Sequence, residues 1–232
     1  MPGQTITIPS PDGIFSAYLA TPESGQGPGI VVLQEIFGVN AVMRELADEY
    51  AAAGFMALVP DLFWRIDPGV QLTDKTDTEW QQAFDLMKRF DAAQGIQDVQ
   101  TAISHLRQYP GVNGKVGAVG YCLGGLLAYL TAARTDADAS AGYYGMNIPR
   151  FLGEAGAIKK PLMLHVAEKD EYNPAEAQKQ VADGLGSNPL VTIHNYAGMA
   201  HAFARPGGAH YDQANATLAN SRTITFFRQH LS

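Results

Sequence analysis

Val116-Gly117-Ala118-Val119-Gly120-Tyr121-Cys122-Leu123-Gly124-Gly125 is the stretch that decides the fold. Its first half is an apolar run of strand type, and Leu123 to Ala133 reads as a helix. Between them stands Gly-x-Cys-x-Gly. A chain that passes so abruptly from strand to helix turns too tightly for side chains two residues before and two after the apex. The apex residue is thereby held out at the end of the strand. Here it is Cys122, the only cysteine in the chain. The pattern is a nucleophile elbow with sulfur in the attacking position.

Working outward, apolar runs alternate with helical patterns. Thr5-Ile6-Thr7-Ile8 and Phe15 to Leu19, around Pro11-Asp12-Gly13, predict an antiparallel hairpin. Ile30 to Leu33 and Met56 to Pro60 predict buried strands, and Asn40 is placed to cap a helix through about Ala53. Residues 62–68 read as a loop. Asp74 to Arg107 is expected to be largely helical, with a break near Gly95. Ala139–Tyr144, Leu162–Val166 and Val191–Tyr196 predict three further strands; Pro174–Leu185 and Tyr211–His230 predict helices. Alternation of this kind defines an α/β protein. Together with the elbow it predicts an α/β-hydrolase fold: a mostly parallel central sheet, helices on both faces and no large cap domain. The length of 232 residues fits a single domain over 1–232.

Composition narrows the function. Hydrophobic residues make up 46% and charged residues 17%, which supplies a core and argues against disorder. A net charge of −7 disfavours nucleic acid or an anionic membrane as partner. No apolar run approaches the ~18 residues of a membrane span. Met1-Pro2-Gly3-Gln4-Thr5 has neither a basic nor an apolar leader region, so no signal peptide is expected. One cysteine cannot form an internal disulfide, which fits a reducing cytoplasm. The expected partner is a small molecule, and the expected state is a monomer. No histidine pair has metal-ligand spacing, so neither metal nor cofactor is expected.

The chain order nucleophile, acid, histidine is that of the α/β-hydrolases. After Leu162–Val166 come Glu168, Asp170 and Glu171. Asp170, a few residues past the strand end, is the preferred acid. After Val191–Tyr196 comes His201, on a loop; His194 lies within the strand and is the poorer candidate for a base. His165, also within a strand, reads as a satisfied core group. In this arrangement His201 takes the thiol proton, because the thiolate is the nucleophile. Asp170 orients the imidazole. The backbone N–H of Leu123, opening a helix, points at the oxyanion, and the N–H of Ile36 in Gln34-Glu35-Ile36-Phe37-Gly38 is the second donor. Cleavage of an ester through a thioester follows.

The stretches Gln34-Glu35-Ile36-Phe37-Gly38-Val39-Asn40, Gly120-Tyr121-Cys122-Leu123-Gly124-Gly125, Gly142-Tyr143-Tyr144-Gly145 and His201-Ala202-Phe203-Ala204-Arg205 resemble those of the dienelactone hydrolases (carboxymethylenebutenolidases). The resemblance runs along almost the whole chain. It implies Cys122, Asp170 and His201 as catalytic triad and a carboxylate-bearing enol-lactone from aromatic degradation as substrate, giving maleylacetate. It also implies that Glu35 modulates the resting thiol, that Arg205 holds the substrate carboxylate, and that Tyr143 lines the pocket. One departure stands out. Where the family has a second substrate-binding arginine, this chain carries Trp80. Trp80, Phe84 and Met87 share a helix face at i, i+4 and i+7. They predict a more apolar pocket wall, and with it a broader carboxylesterase or thioesterase as the alternative activity. A non-catalytic binding protein on the same fold is a further alternative.

Overall fold

The computed structural model describes residues 3–232; Met1 and Pro2, on which part of the leader expectation rests, lie outside them. The chain divides into two compact units, 1–117 and 118–232. The strands are β1 (Gln4–Ser10), β2 (Gly13–Ala20), β3 (Gly27–Leu33), β4 (Met56–Pro60), β5 (Val112–Tyr121), β6 (Ala139–Tyr143), β7 (Leu162–Ala167) and β8 (Val191–Tyr196). The helices are α1 (Ala41–Ala52), α2 (Asp77–Arg89), α3 (Ala92–Arg107), α4 (Leu123–Arg134), α5 (Ala175–Leu185) and α6 (Gln213–His230).

Within the first unit the strand order is β1-β2-β4-β3, and within the second it is β6-β7-β8. β1 and β2 pair antiparallel, as do β2 and β4, whereas β3–β4, β6–β7 and β7–β8 pair parallel. β3, β4 and β7 are buried almost throughout because helices cover them. β1, with Gln4, Thr5, Thr7 and Ser10, exposes most of its residues, as suits an edge strand. α1 and α3 pack on the strands of the first unit, and α4 and α6 on those of the second. Among the described residues no cap domain is inserted: apart from 144–161, which holds a 3-10 helix, the longest stretches between elements are 61–76 and 197–212.

Local chemistry explains the helix boundaries. The Asn40 side chain accepts the Met43 N–H at 3.1 Å and starts α1. Thr76 and Glu79 form a capping box, so α2 begins at Asp77 rather than Asp74. The expected break near Gly95 is corrected. The helices separate at Phe90–Asp91, where Asp91 caps α3 through the N–H groups of Ala93 and Gln94. Gly95 lies inside α3, because a Cβ there would come 2.3 Å from the Phe90 ring. The 61–76 stretch is organised around the buried Asp61 carboxylate, which accepts the N–H groups of Phe63 and Gly69. Ile148–Ala157 forms a 3-10 helix that no sequence signal announced.

Candidate active site

The elbow is built as its glycines require. Cys122 sits at φ 55°, ψ −111°, between β5 and α4. Positive φ is costly for a residue with a side chain and persists only where the surroundings impose it. The imposition is visible: a Cβ on Gly120 would lie 1.8 Å from the Gly124 carbonyl oxygen. One on Gly125 would lie 2.5 Å from the Tyr143 carbonyl oxygen. The Cys122 N–H donates to the Tyr143 carbonyl at 3.1 Å, tying the elbow to the end of β6. The Cys122 side chain makes no capping hydrogen bond, so its sulfur is not committed to the helix. Leu123 is the first residue of α4, where a backbone N–H has no acceptor within the helix.

His201 and Asp170 approach from the loops after β8 and β7. His201 Nδ1 lies 2.9 Å from Asp170 Oδ2, and both side chains are buried. The Tyr172 N–H donates to the other Asp170 oxygen at 2.9 Å. The imidazole also hydrogen-bonds Cys122. Burial alone would depress the imidazole pKa. The negative sulfur of Cys122, with hydrogen bonds to Asp170 and to Cys122, overcomes it and pushes His201 up to about 10. At neutral pH the His201 ring is therefore protonated.

The two loops are cross-bonded. The Lys169 N–H donates to the Met199 carbonyl at 2.7 Å, and the Gly198 N–H to Glu168 Oε2 at 2.7 Å. The second bond separates the acid candidates: Glu168 staples one loop to the other, Glu171 is exposed, and Asp170 alone of the three meets the imidazole. Of the strand histidines, His194 stacks on His165 with ring centroids 5.7 Å apart. His165 is fully engaged, with Nδ1 2.7 Å from the Tyr196 hydroxyl and Nε2 2.8 Å from Thr223 Oγ1.

Two aromatic rings that sequence reasoning did not assign flank His201. Tyr144 and Tyr172 each meet the imidazole in a T-shaped contact at 5.0 Å. Tyr144 is buried and strained, at φ 39°. Tyr172 is 42% exposed, and the charges of Cys122 and Arg205 both act on its phenol. The visible signal was the doubled tyrosine between Gly142 and Gly145. Tyr143, expected in the pocket, is wholly buried, and its hydroxyl is turned to Thr223 (2.7 Å) and Asn220 (3.0 Å) on α6. That places it in the core, because its ring follows the inward side of β6. Arg205 is half-buried, four residues beyond His201.

The remaining expected residues belong to the first unit. Glu35 and Ile36 are buried at the end of β3, 3% exposed each. Their loop is fixed from both sides. Gln34 Oε1 accepts the Leu62 N–H at 3.0 Å, and the Phe37 carbonyl accepts the Leu72 N–H at 2.9 Å. Gly38, at φ 75°, lies where a Cβ would meet the Val70 carbonyl oxygen at 2.1 Å. Trp80 stands edge-on to Phe37 at 5.0 Å, stacks on Phe84 at 5.5 Å and donates its indole N–H to the Asp74 carbonyl. The core face of α2 is Ala83 and Leu86; Trp80, Phe84 and Met87 stay partly exposed. Among the described residues no group of three or more His, Cys, Asp or Glu side chains could hold a metal ion. No described helix is long and apolar enough to cross a membrane.

A mostly parallel sheet, a forced strand–turn–helix elbow and loops converging on it from the next strands define an α/β-hydrolase. Its crystallographic relatives agree. The structure of a Klebsiella pneumoniae protein assigned to the dienelactone hydrolases superposes with a TM-score of 0.87 at 26% identity, covering 98% of both chains. Residues 15–231 match the model of the dienelactone hydrolase family, and the chain belongs to that family. A carboxymethylenebutenolidase from Pseudomonas putida is 40% identical over 95% of this chain and 94% of its own. An Azospirillum brasilense protein assigned as a carboxymethylenebutenolidase is 50% identical over 97% and 98%.

Proposed function

We propose that this hydrolase opens a small enol-lactone or ester through a cysteine nucleophile and a thioester intermediate. The observation that carries the reading is the position of His201, bonded at once to Asp170 and to the sulfur of Cys122 at the elbow apex. The thiolate of Cys122 attacks the acyl carbon. Negative charge gathers on the carbonyl oxygen and is met by the N–H groups of Leu123 and Ile36. The C–O bond of the ring breaks, and the imidazolium of His201 protonates the leaving enolate. Water then attacks the thioester, giving one proton to His201; the C–S bond breaks, the Cys122 thiolate is restored, and the acid leaves as carboxylate with its remaining proton passing to solvent. Asp170 keeps Nδ1 protonated and stabilises the cation throughout.

Glu35 takes the thiol-modulating role that the family resemblance implies, a negative charge opposing an uncommitted thiolate. Arg205 takes the substrate carboxylate, for which a guanidinium fork is suited. The anionic substrate class follows the carboxymethylenebutenolidase relatives. A second reading is favoured by the partly exposed strip of Trp80, Phe84 and Met87, which offers apolar surface where the family has an arginine. It is a wider tolerance of neutral esters on the same machinery.

The test is a panel of carboxymethylenebutenolide and neutral aryl esters with the parent, Cys122→Ala and Arg205→Ala. Cys122→Ala should abolish both turnover and acylation by an activated ester. Turnover at the parental rate in that variant would remove the cysteine from the mechanism. An undiminished preference for the lactone in Arg205→Ala would remove the arginine.

A further inference from the structure

A chain of side-chain hydrogen bonds, buried at its centre and part-buried at its two ends, runs across β6, β7 and β8, and the hydrolytic mechanism does not use it. The Arg222 guanidinium on α6 donates to the Tyr196 hydroxyl at 3.2 Å. That hydroxyl lies 2.7 Å from His165 Nδ1, and His165 Nε2 lies 2.8 Å from Thr223 Oγ1. Thr223 Oγ1 lies 2.7 Å from the Tyr143 hydroxyl, which donates to Asn220 Oδ1 at 3.0 Å.

The direction of every proton follows from the ends. A guanidinium can only donate, and a carboxamide oxygen can only accept. Tyr143 gives its proton to Asn220, so Thr223 must give its own to Tyr143, and His165 must then donate to Thr223 through Nε2–H. Its Nδ1 is left to accept from Tyr196, whose oxygen is left to accept from Arg222. The opposite tautomer would leave the contact of Tyr143 with either Thr223 or Asn220 without a proton. It would also leave the Tyr196 proton without an acceptor in the set. Burial holds His165 neutral, as this chain requires.

Each strand member is also a backbone partner of the site. The Tyr143 carbonyl accepts the Cys122 N–H. The His165 carbonyl accepts the N–H of Tyr144, whose ring lies against His201. The Tyr196 carbonyl accepts the Glu168 N–H, two residues before Asp170, and the Tyr196 ring packs on Phe203 at 4.7 Å, two residues after His201.

We infer that His165, as the neutral Nε2–H tautomer at the centre of this chain, is a positioning residue that locks the ends of β6, β7 and β8 in the register that brings Cys122, Asp170 and His201 together. The inference rests on the triad reading of the site. A buried network with every member satisfied is rigid, and one with a member missing is not. Loosening the strand ends by about 1 Å is enough to cost roughly 10²-fold in rate.

The test compares His165→Phe, His165→Gln and Arg222→Met with the parent, using p-nitrophenyl acetate for kcat and KM and thermal denaturation for folding. Glutamine can accept from Tyr196 and donate to Thr223, whereas phenylalanine can do neither. The expected result is a folded His165→Phe with kcat down about 10- to 100-fold and KM little changed. His165→Gln should recover most of the loss, and Arg222→Met should lose a few-fold in kcat. A folded His165→Phe with parental kcat would overturn the inference, as would a loss that glutamine does not relieve. Should His165→Phe not fold, 15N NMR of the parent decides: a protonated Nδ1 on His165 contradicts the chain, and a protonated Nε2 supports it. Failure of the triad reading is separate, because it shows as turnover by Cys122→Ala.

Discussion

Gly120→Ala puts the elbow to a direct test. The added Cβ would lie 1.8 Å from the Gly124 carbonyl oxygen, 2.3 Å from its carbonyl carbon and 2.9 Å from its Cα. All three are backbone atoms, so no rotamer can relieve the contact. Since Cβ contacts below 3.0 Å are essentially never seen, the first turn of α4 must retreat by at least 3.0 − 1.8 = 1.2 Å. Retreat is itself opposed. Gly125, in the same turn, already lies so close to β6 that a Cβ there would be 2.7 Å from the Gly145 Cα. The displaced turn carries Cys122 and the Leu123 N–H, the proposed attacking residue and oxyanion donor. A misplacement of about 1 Å is expected to lower kcat/KM by ~10²-fold or more. The assay is steady-state hydrolysis of an aryl ester, with thermal denaturation run alongside. Gly153→Ala is the control: that glycine is exposed, has ordinary φ and has nothing within 4 Å of a built Cβ, so it should change neither quantity. A folded Gly120→Ala enzyme with parental kcat/KM would refute the steric account of the elbow.

Asp170→Asn removes the charge that orients His201 and one of the bonds that raise its pKa, and should lower kcat by about 10⁴-fold with the fold retained; a loss under tenfold would relegate Asp170 to loop structure. Because the His201 pKa is raised to about 10, the protonated ring persists across neutral pH and is lost only as pH rises through that value. The kcat/KM profile should therefore stay level through pH 6.5 and fall near 10, and a histidine NMR titration midpoint near 6.5 would contradict the raised pKa of His201. Asp98 is buried and takes two bonds from Arg65 and one from the Trp64 indole, so Asp98→Ala should destabilise the protein by about 3 kcal/mol. That corresponds to a fall in Tm of roughly 6–12 °C; an unchanged denaturation midpoint would show the pair to contribute nothing. Trp80→Arg should raise the preference for an anionic lactone over a neutral ester, by about tenfold for one charge-assisted contact, and an unchanged ratio would place Trp80 outside the substrate's reach.

What could be read from the sequence was whatever sterics fix locally. Gly120-Tyr121-Cys122-Leu123-Gly124 permits one geometry, so strand, apex and helix followed at once. Asn40 marks a helix start for the same reason: the capping group lies within three residues of what it caps. The Thr76–Glu79 capping box, equally local, was overlooked, and the helix start was placed at Asp74 instead of Asp77. Gly95 misled because its low helix propensity was weighed without the Phe90 ring that needs the space. Tyr144 was passed over because nothing in a tyrosine announces a positive φ; the strain is imposed by its place between β6 and His201. Tyr143 and Tyr144 are adjacent and chemically identical, yet the first, the last residue of β6, turns to α6, and the second, just past the strand at positive φ, turns to His201.

The choice of acid shows where such reading stops. Glu168, Asp170 and Glu171 fall within four residues, and offset from the strand favours Asp170 without excluding its neighbours. The decision belongs to the loop after β8: once the Gly198 N–H has taken Glu168, the short loop leaves Asp170 facing His201. The same loop is anchored by Tyr196, and Tyr196 by His165 and Arg222, residues drawn from β7 and α6. The proposed triad, legible as three residue types in chain order, is thus held by contacts that chain order does not reveal. That division also predicts how the site fails. Substitutions at Cys122, Asp170 or His201 should remove a chemical role outright. Substitutions in the lateral chain beneath should leave every role present and lower the rate by misplacing it, a loss in kcat with KM preserved.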